Sequence, residues 1–145
     1  MRRSSILSVA LLLAGSSSVA FGLVVRHGGW TAAISGKDGS AIKGSATVKA
    51  GKRAGTTEVS VKYSGDASKM TRPWHVHSGS CAMAGGIVGA ANAYSPLIGS
   101  AKGSAKGHAT LAMALPDTGS YYVNIHESAT NMGKIVACGD LKADK

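Results

Sequence analysis

Acidic residues, aromatics and helix signals are all scarce in this chain, and each scarcity removes a class of answer. Seven Asp and Glu stand against 16 Lys and Arg over 145 residues, a formal charge of +9, and only 5% of the residues are aromatic. The lysines are scattered singly, with no long basic run and few aromatics between them. That pattern argues against a nucleic-acid surface, which gathers its charge on one face. What remains is a diffuse positive field that attracts small anions, or simply a solvated surface.

Long apolar runs are missing except near the start. Arg2 and Arg3 precede an apolar stretch from Ile6 to Ala14, and Ser18-Val19-Ala20 offers the small residues a signal peptidase prefers. Residues 1–20 therefore read as a cleaved signal peptide, residues 21–29 as an N-terminal extension, and residues 30–145 as one domain, periplasmic or secreted. The alternative is an uncleaved anchor reaching Val25, but Gly15 and Ser16 to Ser18 interrupt it early for a membrane span. Without Arg2 and Arg3, 14 basic residues face 7 acidic ones, a formal +7.

Cysteine is nearly absent too: Cys81 and Cys138 are the pair. In an exported chain an even pair reads by default as a disulfide, the alternative being two buried thiols. Closing the 57 residues between them (138 minus 81) would stabilise the domain by about 4 kcal/mol on the chain-entropy argument.

What is present is short segments rich in Val, Thr and Ser, divided by glycine, the pattern of an antiparallel all-β domain. Strands are expected around Trp30 to Ile34, within Ser40 to Ala50, and at Glu58 to Tyr63, where Val59, Val61 and Tyr63 alternate with polar residues. Pro73 opens the strand carrying Trp74-His75-Val76-His77. From Ser78 to Gly107 the chain is mostly Gly, Ala and Ser and reads as a long loop with at most a short strand near Leu97. Alternation returns at Ala109 to Leu115 and at Ser120 to Glu127, and the last strand is expected at Lys134 to Cys138. The sum is about seven or eight short strands, a β-sandwich or flattened β-barrel.

Alternation also places chemistry. On a strand Trp74 and Val76 point one way and His75 and His77 the other, about 6.5 to 7 Å apart, a gap that an ion at about 2 Å from each ring nitrogen can bridge. His126 is a third histidine on an outer, non-core face. Neutral imidazoles suit copper and zinc, and three nitrogens with an open position suit a redox ion that meets a small ligand. Met70, Met83 and Met132 lie near the histidine segments; as thioethers they favour Cu(I), or else they fill the core. His108, at the start of its strand and on the face with Thr110, reads as a surface residue, and His27 has no assigned role.

Trp74-His75-Val76-His77 followed by Cys81, and Asn124-Ile125-His126-Glu127 followed by Ile135-Val136-Ala137-Cys138-Gly139, resemble two blocks of the copper/zinc superoxide dismutase family. The resemblance spans roughly residues 30 to 141, with only these blocks specific. It implies a Greek-key β-sandwich or barrel of eight strands, copper ligands at His75, His77 and His126, and a Cys81–Cys138 bond.

The departures matter equally. The family takes its bridging histidine and zinc ligands from the loop after the His-x-His strand, and here residues 79 to 106 contain neither histidine nor acidic residue, so zinc is not expected. The family's active-site arginine is missing, with Ile135 in its neighbourhood and Lys134 beside it as a weaker source of positive charge, since lysine lacks arginine's planar fork. The resemblance thus implies an exported copper protein, with superoxide or another small anion as partner and dismutation as its chemistry. Two other readings stay open: a non-catalytic copper-binding or copper-handling protein of the cell envelope, and a metal-free domain whose exposed histidines hold haem or another ligand.

Overall fold

The computed structural model of the chain describes residues 28–115 and 118–144. The expected signal peptide and His27 lie outside the described residues. Among those described, the strands are β1 (Trp30–Gly36), β2 (Lys43–Ala50), β3 (Thr57–Ser64), β4 (Thr71–Arg72), β5 (Trp74–Ser80), β6 (Met83–Ile87), β7 (Leu97–Ile98), β8 (Ala105–Leu111), β9 (Tyr121–Ser128) and β10 (Asn131–Ala143), with one 3-10 turn at Ala91–Ala93. None of the described helical residues forms a helix long and apolar enough to cross a membrane.

Eight strands make one antiparallel sheet in the order β6-β5-β9-β10-β1-β2-β3-β8, while β4 and β7 pair separately. The sheet curls into a half-barrel, the sandwich or flattened-barrel architecture expected. Sequential strands β1 to β3 pair as a meander. The chain then leaves β3 for β5 near the opposite end of the sheet, a long connection of the Greek-key kind.

The expected alternation produces the core. Ala46 opposes Val61 and Val48 opposes Val59 across β2 and β3, and all four are buried. Thr47 and Ser60, one residue out of phase, are exposed. The β1–β2 turn holds Asp38 at φ 51° and Gly39 at φ 84°, left-handed positions that glycine fills freely and aspartate tolerates.

The segment after β6 packs against Trp74 of β5 and Gly107 of β8. Trp74, fully buried, donates its indole N–H to the Ser95 carbonyl at 2.8 Å and meets the Tyr94 ring edge-on at 5.1 Å. Leu97 enters beside them because Gly107 has no side chain: a Cβ there would stand 2.6 Å from Leu97 Cδ2 and 3.4 Å from the Trp74 indole nitrogen.

Three boundaries differ from expectation. Residues 78 to 107 are not one long loop: β5 runs on to Ser80, Met83–Ile87 forms β6, and β8 begins at Ala105, although the short strand at Leu97 is present. Every residue of β6 is exposed, so its sequence, Met-Ala-Gly-Gly-Ile, carries no alternation to read. The Ala109 to Leu115 alternation outlasts its strand: β8 stops at Leu111, and Met113 and Leu115 pack half-buried against the core from an irregular segment. β10 is also longer than Lys134 to Cys138, because a bulge between Asn131 and Ala137 breaks its periodicity.

Two cross-links brace the half-barrel. Cys81 and Cys138 form a disulfide with Cα atoms 5.9 Å apart, the kind of bond that oxidising compartments retain. Arg72 grips Asp66 with two bonds, Nε to Oδ2 at 2.8 Å and Nη2 to Oδ1 at 2.7 Å, and donates Nη1 to the Glu127 carbonyl at 2.6 Å.

Candidate metal centre

β5 and β9 place the three histidines. Residues opposite one another across antiparallel strands share a face, and the register sets His75 opposite Asn124 and His77 opposite Tyr122. His126, two residues beyond Asn124, stands diagonally from His75 on the same face. The Pro73 carbonyl accepts the His126 backbone N–H at 2.8 Å and so fixes that step of the ladder.

The histidines lie away from the apolar core, as expected, yet they are not exposed. His75 and His126 are each 6% exposed and His77 9%. The cover comes partly from β9 itself, through Tyr122, and partly from outside the two strands. Asn124 opposes Cys138 on β10, so the disulfide ties the β5–β6 turn to β10 on this face, while Cys81 N–H donates to Asp140 Oδ1 at 2.7 Å and Lys37 Nζ donates to the Cys81 carbonyl at 3.2 Å. Tyr122 stacks on His77 with centroids 5.2 Å apart, and Tyr94 meets His75 edge-on at 5.3 Å.

The hydrogen bonds select which nitrogens face inward. His77 Nδ1 donates to the Gly85 carbonyl at 3.0 Å, and His126 Nδ1 donates to the Met132 carbonyl at 2.6 Å. A carbonyl can only accept, so each of these rings carries its proton on Nδ1 and leaves Nε2 with a free lone pair. His126 Nε2 lies 3.1 Å from His75 Nδ1, whereas His77 Nε2 is buried with no hydrogen-bond partner. One nitrogen from each ring lies within 4.8 Å of the other two. Among the described residues this is the group of three or more His, Cys, Asp or Glu with metal-binding proximity.

Burial keeps His75 and His126 neutral. Burial, then the neighbouring His126 and His77 rings, push the His75 pKa down from 6.5 to about 4. Burial also lowers His126, partly offset by the Met132 carbonyl, with His77 lowering it further. His75 and His126 are therefore uncharged at neutral pH, so that a metal ion would not have to compete with the charged form of either ring. A buried, unpartnered nitrogen beside two others 3.1 Å apart is chemically a ligand set, since two nitrogens each about 2 Å from one ion adopt such a spacing. The residues fit a metal ion held by three nitrogens, with carbonyls behind two of them orienting the rings.

The other candidates lie elsewhere or are engaged. Lys134 is exposed, and its ammonium is paired with the Glu127 carboxylate, which Asn131 Nδ2 also approaches at 2.6 Å. His108 is on the exposed face of β8, with Nδ1 3.3 Å from Ser60 Oγ. Met83 is 75% exposed and Met132 36% exposed, so neither fills the core. Sequence reading missed Asn124, Tyr122 and Tyr94 as parts of the site. The parity of Tyr122 and Asn124 with His126 was the available signal; Tyr94 reaches His75 through a tertiary contact alone. Asn124 is 2% exposed, and its Oδ1 also has no hydrogen-bond partner.

No protein-family model matches this chain, and no curated protein is a significant match to it.

Proposed function

We propose that this is an exported copper protein that dismutates superoxide at His75, His77 and His126. The observation that carries the reading is the buried, unpartnered His77 Nε2 facing two further imidazole nitrogens. A three-imidazole set suits copper in either oxidation state, and the resemblance of the two histidine segments to the copper/zinc superoxide dismutases favours copper over zinc. Bound copper would supply the one-electron couple that dismutation requires. The chain's own contribution is to orient His77 and His126 through the Gly85 and Met132 carbonyls, to hold His75 and His126 neutral by burial, and to pack Tyr122 and Tyr94 against the rings. The diffuse positive charge favours approach of an anion such as superoxide. Lys134 adds little to that field, because Glu127 compensates it. The disulfide supports a periplasmic or secreted location.

The test is superoxide decay with copper-loaded protein beside His126→Ala treated identically. Faster decay with the wild type supports the reading, and equal decay contradicts the catalytic part. A second reading, copper handling without catalysis, is favoured by Met83 and Met132, whose exposed thioethers are available to Cu(I). Equal decay alongside retained copper would select it. The haem-holding reading loses its premise, since none of the three histidines is exposed.

A further inference from the structure

The outer face of β2, β3 and β8 carries a second constellation, separate from the histidine cluster. The register lines up Ser45, Lys62 and Lys106 in one row and Thr47, Ser60 and His108 in the next. These six side chains border a groove of about 560 Å³, within the range of about 300 to 1,000 Å³ typical of small-molecule sites.

Lys62 and Lys106 are direct cross-strand partners, an arrangement that costs stability when charges are alike. No carboxylate among the described residues forms a salt bridge with either. The acid on this face of the three strands, Glu58, is committed to Lys49 at 3.6 Å, in the row beyond Ser60. Protection of a sheet edge explains Lys106, because β8 is an edge strand. It does not explain Lys62, because β3 lies inside the sheet between β2 and β8. Two uncompensated ammonium groups over a hydroxyl-lined groove are a receptor for anionic oxygen.

We propose that this groove binds an oxyanion-bearing saccharide, a sugar carrying sulfate, phosphate or carboxylate groups. Lys62 and Lys106 hold the anionic group, and Ser45, Thr47, Ser60 and His108 exchange hydrogen bonds with the sugar hydroxyls. The groove has no Phe, Tyr or Trp on which a neutral sugar or a nucleobase could stack, His108 being its one aromatic ring, and no arginine for bidentate phosphate recognition. Its volume and its row of hydroxyls exceed the needs of a bare anion.

The test is calorimetric titration of the intact protein with a sulfated tetrasaccharide, its desulfated counterpart, sodium sulfate and a single-stranded hexanucleotide. The variants are Lys62→Gln/Lys106→Gln and, as a control of equal charge, Lys69→Gln/Lys142→Gln. The proposal expects at least a tenfold affinity loss in the groove variant and less than twofold in the control. It also expects at least tenfold weaker binding of the other three probes. An amide NMR spectrum of each variant establishes that the fold is kept, and shifts induced by the tetrasaccharide should map to β2, β3 and β8. Equal loss in both variants would reduce the groove to diffuse charge. Sodium sulfate binding as tightly as the tetrasaccharide would leave an anion site only, and tighter hexanucleotide binding would assign it to nucleic acid; any of these overturns the proposal.

Discussion

His75 Nδ1 lies 3.1 Å from His126 Nε2, joining residues 51 positions apart on neighbouring strands. Because His126 Nδ1 already donates to Met132, its Nε2 is the acceptor, and His75 supplies the proton between them. A metal ion held here would take the place of that shared proton, which would pass to His75 Nε2, and would partner the unpaired His77 Nε2. Metal binding and folding stability are therefore linked.

Copper should stabilise the folded protein. At a free concentration a hundred times its dissociation constant, one site adds about 2.7 kcal/mol. Urea unfolding with and without copper should show the midpoint rise in wild type and no rise in His75→Ala. Equal rises would place the metal elsewhere.

Metal-free protein should lose stability on acidification. His75 moves from a pKa of 6.5 to about 4 on folding, so between these values the unfolded chain binds a proton that the folded chain does not. Stability is therefore highest above pH 6.5 as far as this residue is concerned, and falls as pH drops towards 4; the shift is worth about 3 kcal/mol. His126, also lowered by burial, adds in the same direction. Urea midpoints measured between pH 7.5 and 4.5 should fall, with a shallower slope in His75→Ala; identical slopes would contradict the assignment.

Reducing Cys81–Cys138 should act on both fold and site. The 57-residue separation predicts a loss of about 4 kcal/mol. Because the bond also ties the β5–β6 turn to β10 on the face that carries the histidines, copper should dissociate faster from Cys81→Ser/Cys138→Ser than from wild type. Unchanged release, followed with a chelator, would mean that the turn stays in place without the bond.

Arg72 and Asp66 form an almost fully buried pair, with side chains 8% and 5% exposed. Replacing Arg72 by Leu leaves the buried Asp66 carboxylate without a counter-charge, held only by Tyr63 Oη and the Ala67 N–H, and removes the donor to the Glu127 carbonyl, next to His126. The expected cost is about 3 to 5 kcal/mol, read by denaturant unfolding. A loss below about 1 kcal/mol would show that solvent reaches Asp66.

Alternation made β3, β5 and β9 legible, and with them the common face of His75, His77 and His126. Regular alternation depends on one buried and one solvated face, and β6 lacks the buried one: its residues are all exposed. The burial of the histidines was hidden for a related reason. It comes from the Tyr122 ring stacked on His77 and the Tyr94 ring set against His75, contacts made between segments distant in sequence. Parity gives the face of a residue; only tertiary packing decides what covers that face.

The copper content of loaded and desalted protein tests the central claim most directly. One copper per chain in the wild type, with little or none in His126→Ala, is the predicted result. Equal copper in both would contradict the three-histidine site.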